Sequence, residues 1–251
     1  MPPNDKDLEA AFAEAVSGRA AADRLCDVCV EMLDVDGAAL SIVGNDCAQG
    51  TFGSSGELSR RLDEYQFTFG EGPCMDSVRL ARPVLTPDLD SPLENRWPIF
   101  ADAVLGEGVR AVFAIPVAVA TSYVGALDLF RRTPGPLSDN GLTGGLLAAQ
   151  LAALPLLDLI GAGRTQTAEG ADNDGWSELA ALARVEVYQA TGMLMAQLDV
   201  GPTEALVRLR AHAFAEGLPV SQVAWRIVER HLTLEVDQPH PDRGANRGPS
   251  S

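Results

Sequence analysis

The sequence predicts an α+β domain followed by a small all-α bundle of three helices. Three observations predict it. Two apolar runs near residues 110–130 are joined by a short connection, as in an antiparallel hairpin. Apolar positions at three- and four-residue spacing flank that pair on both sides. The last third keeps the helical period and carries no strand signal. The chain has 251 residues, 46% hydrophobic and 22% charged, which suits one or two globular domains with real cores.

The elements follow in order. Residues 7–33 read as a helix, with Leu8, Phe12, Val16, Leu25, Cys29 and Met32 on or near one stripe. Residues 38–43 form an apolar strand between Gly37 and Gly44, and residues 51–55 its hairpin partner. Residues 57–65 are helical. Gly70-Glu71-Gly72-Pro73-Cys74 is a turn or loop by its glycines and proline. Residues 83–85 are briefly extended and 97–105 make a short helix. In residues 110–120, Ala111, Phe113, Ile115, Val117 and Val119 share one face, and Pro116 marks an edge or a bulge. Residues 124–130 are the partner strand. Residues 138–160 form a long helix, with Ser138 or Asp139 as N-cap.

We read residues 7–160 as the first domain, 161–175 as a linker, 176–235 as the helical domain and 236–251 as a disordered tail rich in Pro, Gly, Ser and Arg. In the helical domain, Trp176, Leu179, Ala183, Val187, Ala190, Leu194 and Leu198 line a first helix. Pro202 opens a second, which Gly217 caps, and Pro219 opens a third. A bundle of about 60 residues is marginal alone, so docking or dimerisation is expected.

The formal net charge of −16 argues against non-specific attachment to nucleic acid or to an anionic membrane. The apolar stretch 146–160 is interrupted by Gln150, Pro155 and Asp158 and falls short of the ~20 residues a membrane span needs. With a polar start over residues 1–7, this predicts a cytoplasmic protein. Cys26, Cys29, Cys47 and Cys74 are expected as free thiols. Cys26-x-x-Cys29 with the other two offers a four-thiolate metal or iron–sulfur set. The stronger reading is small buried apolar residues, so no metal site is expected. No catalytic constellation stands out. His212, His231 and His240 all lie near the C-terminal end, and the only lysine is Lys6.

Arg184-Val-Glu-Val-Tyr-Gln-Ala-Thr-Gly-Met-Leu-Met195, Glu204-Ala-Leu-Val-Arg-Leu-Arg210 and Val223-Ala224 appear in that order. Together they resemble the ANTAR domain, a three-helix domain of transcription antitermination regulators. The first 160 residues resemble the GAF domains that precede ANTAR domains in actinobacterial-type regulators, on Gly70-Glu-Gly-Pro-Cys74, Arg96-Trp97-Pro98 and Gly125-Ala126-Leu127. The resemblance implies a homodimer that binds paired RNA stem-loops in nascent transcripts, controlled by a small molecule or a redox state sensed by the GAF domain. It leaves the cofactor or effector unknown. The match departs at Thr191, where many ANTAR domains carry a lysine. Over residues 184–231, Arg184, Arg208, Arg210, Arg226 and Arg230 balance Glu186, Asp199, Glu204, Glu216 and Glu229, so the core lacks the usual basic patch.

Arg184, Arg210, Arg226 and Arg230 are the expected RNA contacts, because a guanidinium binds phosphate bidentately and stacks on unpaired bases. Arg226 and Arg230, one turn apart, are expected on one helical face. Tyr188 and Gln189 are weaker candidates. The competing reading is a solvated face paired with Glu229 or Glu186. Cys74, Glu71 and Asp76 are the candidates for ligand or redox sensing. Alternatives are a thiol enzyme resembling free methionine sulfoxide reductases with Cys74 as nucleophile, a helix-turn-helix DNA binder, and a dimerisation or protein-interaction module that binds no RNA.

Overall fold

Residue alternation along five strands builds one antiparallel sheet with helices on both faces. The computed structural model describes residues 18–44, 47–157 and 184–234. Helix α1 (Arg19–Met32) leads into strands β1 (Gly37–Gly44) and β2 (Cys47–Ser54). Helices α2 (Glu57–Phe69) and α3 (Pro73–Leu80), strand β3 (Val84–Thr86) and helix α4 (Pro98–Gly106) follow. Strands β4 (Ala111–Val119) and β5 (Ser122–Arg131) form the second hairpin, and helix α5 (Asp139–Leu151) closes the unit. The sheet order is β2-β1-β5-β4-β3. Its central pairing, Gly37 opposite Phe130 through Ile42 opposite Gly125, joins segments far apart in sequence.

The period-2 alternation sends the side chains of β1, β4 and β5 to two different cores. Leu40, Phe52, Phe113, Ile115, Leu127 and Leu129 meet α1 and α5 on one face. Ala39, Val112, Ala114 and Phe130 meet Leu62 of α2 and Phe100 and Val104 of α4 on the other. So β4 is buried on both sides from Ala111 to Ile115, beyond the one apolar face that its alternation predicted. Pro116 pairs with Ala126 of β5 beyond the last pairing with β3, on a stretch of β4 that is an edge, and a bulge follows at Val117/Ala118. Ser138 caps α5 by accepting from the Gly141 amide at 3.0 Å. Gly145 then lets α5 settle on the sheet, since a Cβ there would stand 2.7 Å from Ile115 Cδ1. By length and composition the helical stretch Asp139–Leu157 is long and apolar enough to cross a membrane. Here Ala148, Ala149, Ala152 and Leu156 bury in the sheet's core.

Three more helices make the second unit: α6 (Val185–Leu198), α7 (Pro202–Glu216) and α8 (Val220–Val228). Pro202 stands at the first turn of α7, and Gly217 ends it in the left-handed conformation at φ 64°. Val187, Ala190, Leu194, Leu209, Val223 and Ile227 form its core, and Phe67 of α2 joins that core from the first unit.

Several expectations are corrected. Cys74 is not in a loop: Gly72 is the N-cap and Pro73 the first residue of α3, so Cys74 lies in a helical first turn. Arg230 does not share a helical face with Arg226, because α8 ends at Val228 and Arg230 turns back at φ 61°. The first helix is described only from Arg19, and the expected beginning of the ANTAR-like helix at Trp176 lies outside the described residues. So do the linker at 161–175 and the tail at 236–251.

Candidate functional site

The Gly70–Cys74 segment connects α2 to α3 and shapes three environments: a buried polar cluster beneath it, a cleft beside it and a docking face above it. Gly72 is required there by conformation and by space. Its φ is 148°, and an added Cβ would stand 2.4 Å from Gln66 Oε1. That close approach lets Gln66 Oε1 accept from the Cys74 amide at 2.8 Å, while Gln66 Nε2 donates to Asp128 Oδ2 at 2.7 Å.

Cys74 is fully buried, beside Val43 and Ala126 of the sheet. Burial first, then the nearby Asp128 and Asp63, push its thiol well above the usual range. A nucleophilic or redox-reactive cysteine needs thiolate and access. Burial closes Cys74 off from solvent and disfavours its thiolate. Cys26 and Cys29 also sit in the apolar core, where burial pushes Cys29 up to about 12, in keeping with small hydrophobes.

The cleft, of about 710 Å³, opens over the outer side of α3. Glu71, Asp76, Arg79, Arg82, Arg96 and Trp97 are among its lining residues. The Arg96 guanidinium lies 4.1 Å from the Trp97 ring centroid and pairs with Glu94, whose carboxyl it holds below the usual range. Asp76 accepts from Trp97 Nε1 at 3.1 Å and from Arg79 at 2.6 Å. Glu71 accepts from the amides of Ile99 at 2.7 Å and Phe100 at 2.9 Å, so it caps α4, whose own N-cap residue, Trp97, makes no side-chain cap bond. Glu71 and Asp76 therefore brace the Arg96-Trp97-Pro98 corner against α3 and line the cleft at once.

The docking face is built on the outer side of α2. Arg184, 5% exposed, pairs with Glu64 and stacks over Phe67 at 4.0 Å from the ring centroid. Arg210 approaches the same ring at 5.1 Å and lies against Gly70. Ser221 donates to Glu64 at 3.0 Å, the Val220 amide donates to Thr68 Oγ1 at 3.3 Å, and Phe214 meets Phe69 edge-on. Thr191 lines an apolar cleft of about 260 Å³ between Phe67 and the helices, its hydroxyl donating to the Val187 carbonyl.

The six sequence-predicted contacts thus divide. Arg184 and Arg210 face the first unit. Tyr188 and Gln189 are exposed on α6, with Tyr188 56% exposed. Arg226 pairs with Glu216 at 2.6 Å, rather than with Glu229 or Glu186, and Arg230 is exposed in the turn after α8. Sequence reasoning missed Trp225, which is 58% exposed on α8, and Phe67. Trp225 had a signal: it breaks the apolar stripe of its helix. Phe67 had none.

Residues 178–228 match the ANTAR domain family. The preceding part is similar in fold to the GAF domain of a phosphoenolpyruvate-protein phosphotransferase from Coxiella burnetii, at 16% identity over 64% of this chain and 94% of that one, with a TM-score of 0.51. The chain pairs a GAF fold with an ANTAR domain. The GAF domain of the Acinetobacter phosphotransferase aligns at 12% identity over 64% of this chain and 94% of that one, with a TM-score of 0.49. A free methionine-R-sulfoxide reductase from Neisseria meningitidis, solved with its substrate, aligns at 14% identity over 61% of this chain and 86% of that one, with a TM-score of 0.47. At these identities the reductase is a neighbour in fold only. No curated protein matches the chain in sequence. The matched residues take in α6–α8, and an ANTAR domain implies a regulatory role.

Proposed function

We propose that this chain is a signal-responsive, RNA-binding regulator of transcription antitermination in which the GAF domain holds back part of the ANTAR RNA face. The observation that carries the reading is that Arg184 and Arg210 share one GAF side chain, Phe67. A guanidinium stacked on a phenyl ring occupies the surface it would offer to a flipped base. Tyr188, Gln189, Trp225, Arg226 and Arg230 supply the remaining aromatic, amide and cationic contacts. With the ANTAR core neutral, binding rests on placed arginines, base stacking and the avidity of a dimer.

The cleft supplies the signal. Gly70, Glu71 and Gly72 line it, and Arg210 lies on Gly70. An effector that displaces this loop loosens Arg210 and then Arg184. It therefore binds the released state more tightly, which is the requirement for coupling. The arginines of the cleft suit an anionic or zwitterionic small molecule. The dimer rests on α5 and the residues after it, where Leu146, Leu154 and Leu157 are exposed. The domain limits 7–160 and 176–235 and a cytoplasmic location belong to the same reading.

Filter binding of the full chain to a paired stem-loop RNA and a scrambled control, at two salt concentrations, tests it. The expected result is specific binding that strengthens in Phe67→Ala and is lost when Arg210→Ala is added. Absence of specific binding by both the wild type and Phe67→Ala would leave the ANTAR unit as a protein-interaction or dimerisation module. Duplex DNA serves as the competitor that separates out a helix-turn-helix factor.

A further inference from the structure

Asp63 of α2, Cys74 of α3 and Asp128 of β5 converge between the sheet and the helices on its polar face. One ligand atom from each lies within 4.8 Å of the other two, and all three residues are fully buried. Asp63 accepts from the hydroxyls of Ser41 and Thr51. Asp128 Oδ2 accepts from Gln66, and the Ser41 hydroxyl also draws on this carboxyl, but among the described residues Asp128 Oδ1 is buried without a hydrogen-bond partner of good geometry. A buried carboxylate oxygen left unmatched is costly, and native proteins rarely tolerate it without a ligand or a proton. Nearby sites on this face of the sheet hold Val43, Ala126 and Phe130, which fill the core without a charge.

We propose that Asp63, Cys74 and Asp128 bind a first-row divalent transition-metal cation of the zinc or ferrous class. Two hard oxygens and one soft sulfur are a donor set for a borderline cation, and they disfavour Mg²⁺ and Ca²⁺, which take oxygen alone. In a four-coordinate site with metal–oxygen bonds near 2.1 Å and a metal–sulfur bond near 2.3 Å, ligand atoms stand about 3.5 Å apart. The observed spread closes to that with side-chain shifts of about 1 Å. Three protein ligands leave a further position for water or a small exogenous ligand. On binding, the Cys74 S–H bond breaks, its sulfur pair forms the metal–sulfur bond, and the proton goes to solvent along with any proton held by the carboxyls. The +2 charge then offsets three negative groups that burial alone would keep from ionising together.

Gln66 is a positioning residue of this site. It orients Asp128 through Nε2 and the first turn of α3 through Oε1, the kind of outer contact that tunes a metal's ligands. The site does not depend on the RNA-binding reading. It nonetheless lies on the inner side of the helix whose outer side, Glu64 and Phe67, carries the ANTAR domain.

The test is a titration of the full chain, stripped with chelator and kept reduced, with Co²⁺ as spectroscopic probe and Zn²⁺ in competition with a chromophoric chelator. Expected are one ion per chain, proton release, and a near-ultraviolet thiolate-to-cobalt charge-transfer band. The band should vanish in Cys74→Ser and survive in the double variant Cys26→Ser/Cys29→Ser. Gln66→Ala should weaken binding 10- to 100-fold, and Asp128→Asn, a neutral isostere suited to a buried site, by more. Absence of stoichiometric binding would overturn the proposal, as would a band that persists without Cys74 or unchanged affinity in folded Asp128→Asn. If Asp128→Asn merely stabilises a chain that binds no cation, the cluster holds a proton and the proposal fails.

Discussion

The two faces of the GAF sheet share the same strands, but only one of them carries a buried polar cluster beside its apolar contacts. On the face under α1 and α5, Leu40, Phe52, Phe113, Leu127 and Leu129 pack against apolar residues of both helices. On the face under α2 and α3, the alternate residues Ser41, Thr51 and Asp128 meet Asp63, Gln66 and Cys74. In β5 the change occurs from one residue to the next, Leu127 to Asp128 to Leu129. The apolar face contributes stability. The polar face forgoes some of it, because buried carboxyls are expensive: burial pushes Asp63 above the usual range and Asp128 well above it. The hydrogen bonds from Ser41 and Thr51, and the Arg184 guanidinium of the ANTAR domain, draw Asp63 partly back down. That last influence crosses the domain boundary, so the polar face is the one in electrical contact with the ANTAR helices.

Four variants break or sharpen this contrast. Phe113→Ala, at a fully buried position of the apolar face, should cost about 3–5 kcal/mol in chemical denaturation. A cost under 1 kcal/mol would mean that this face is not the main source of stability. Phe67→Ala, on the outer side of α2, should raise the full chain's RNA affinity about 5- to 150-fold, the usual range of a coupling free energy. Unchanged affinity would separate the polar face from the ANTAR domain. Thr51→Val removes one hydrogen bond to Asp63 with little change of shape and should cost about 1–3 kcal/mol in the metal-free chain. A neutral outcome would mean that the Thr51 hydrogen bond adds nothing net to the stability of this face.

The smallest effect belongs at the rim. Glu107 accepts from Arg61 at 2.7 and 2.9 Å and from Tyr65, joining the end of α4 to α2. The Arg61 hydrogen bonds hold its carboxyl below the usual range. A carboxyl depressed in the folded state contributes stability above its unfolded pKa and loses it as pH falls through the folded value. Glu107→Gln should therefore cost at most about 1 kcal/mol near neutral pH, since the pair is partly exposed. The difference from wild type should vanish in denaturation curves taken well below pH 4.5, the ordinary glutamate value. A gap that stayed constant with pH would assign the effect to packing.

Much of the fold is legible in the residues themselves. The two hairpins, the Ser138 cap, and the Pro202 and Gly217 boundaries of α7 are all local features, readable from spacing and from residues with restricted or permissive backbones. The departures are local too. Gly70–Cys74 carries loop-forming residues, but Gly72-Pro73 is also a way to start a helix, and tertiary packing over the sheet chose the helix. Arg226 and Arg230 are spaced for one face, but α8 stops at Val228.

The candidate sites are legible only in part. Glu71 and Asp76 stand out on the right loop and helix, while their bracing of Trp97 and α4 does not. Asp128 carries a visible signal, a lone carboxylate in an apolar strand, yet one charge in a run does not disclose its partners. The sequence alone determined the order and type of most elements, α3 excepted, because periodicity and caps are properties of contiguous residues. Only the tertiary structure decided that Asp63, Cys74 and Asp128 meet, and that Arg184 and Arg210 converge on Phe67. Those meetings depend on the β1–β5 pairing and on the seating of α6 and α7 against α2, contacts between segments whose separation along the chain leaves no spacing to read.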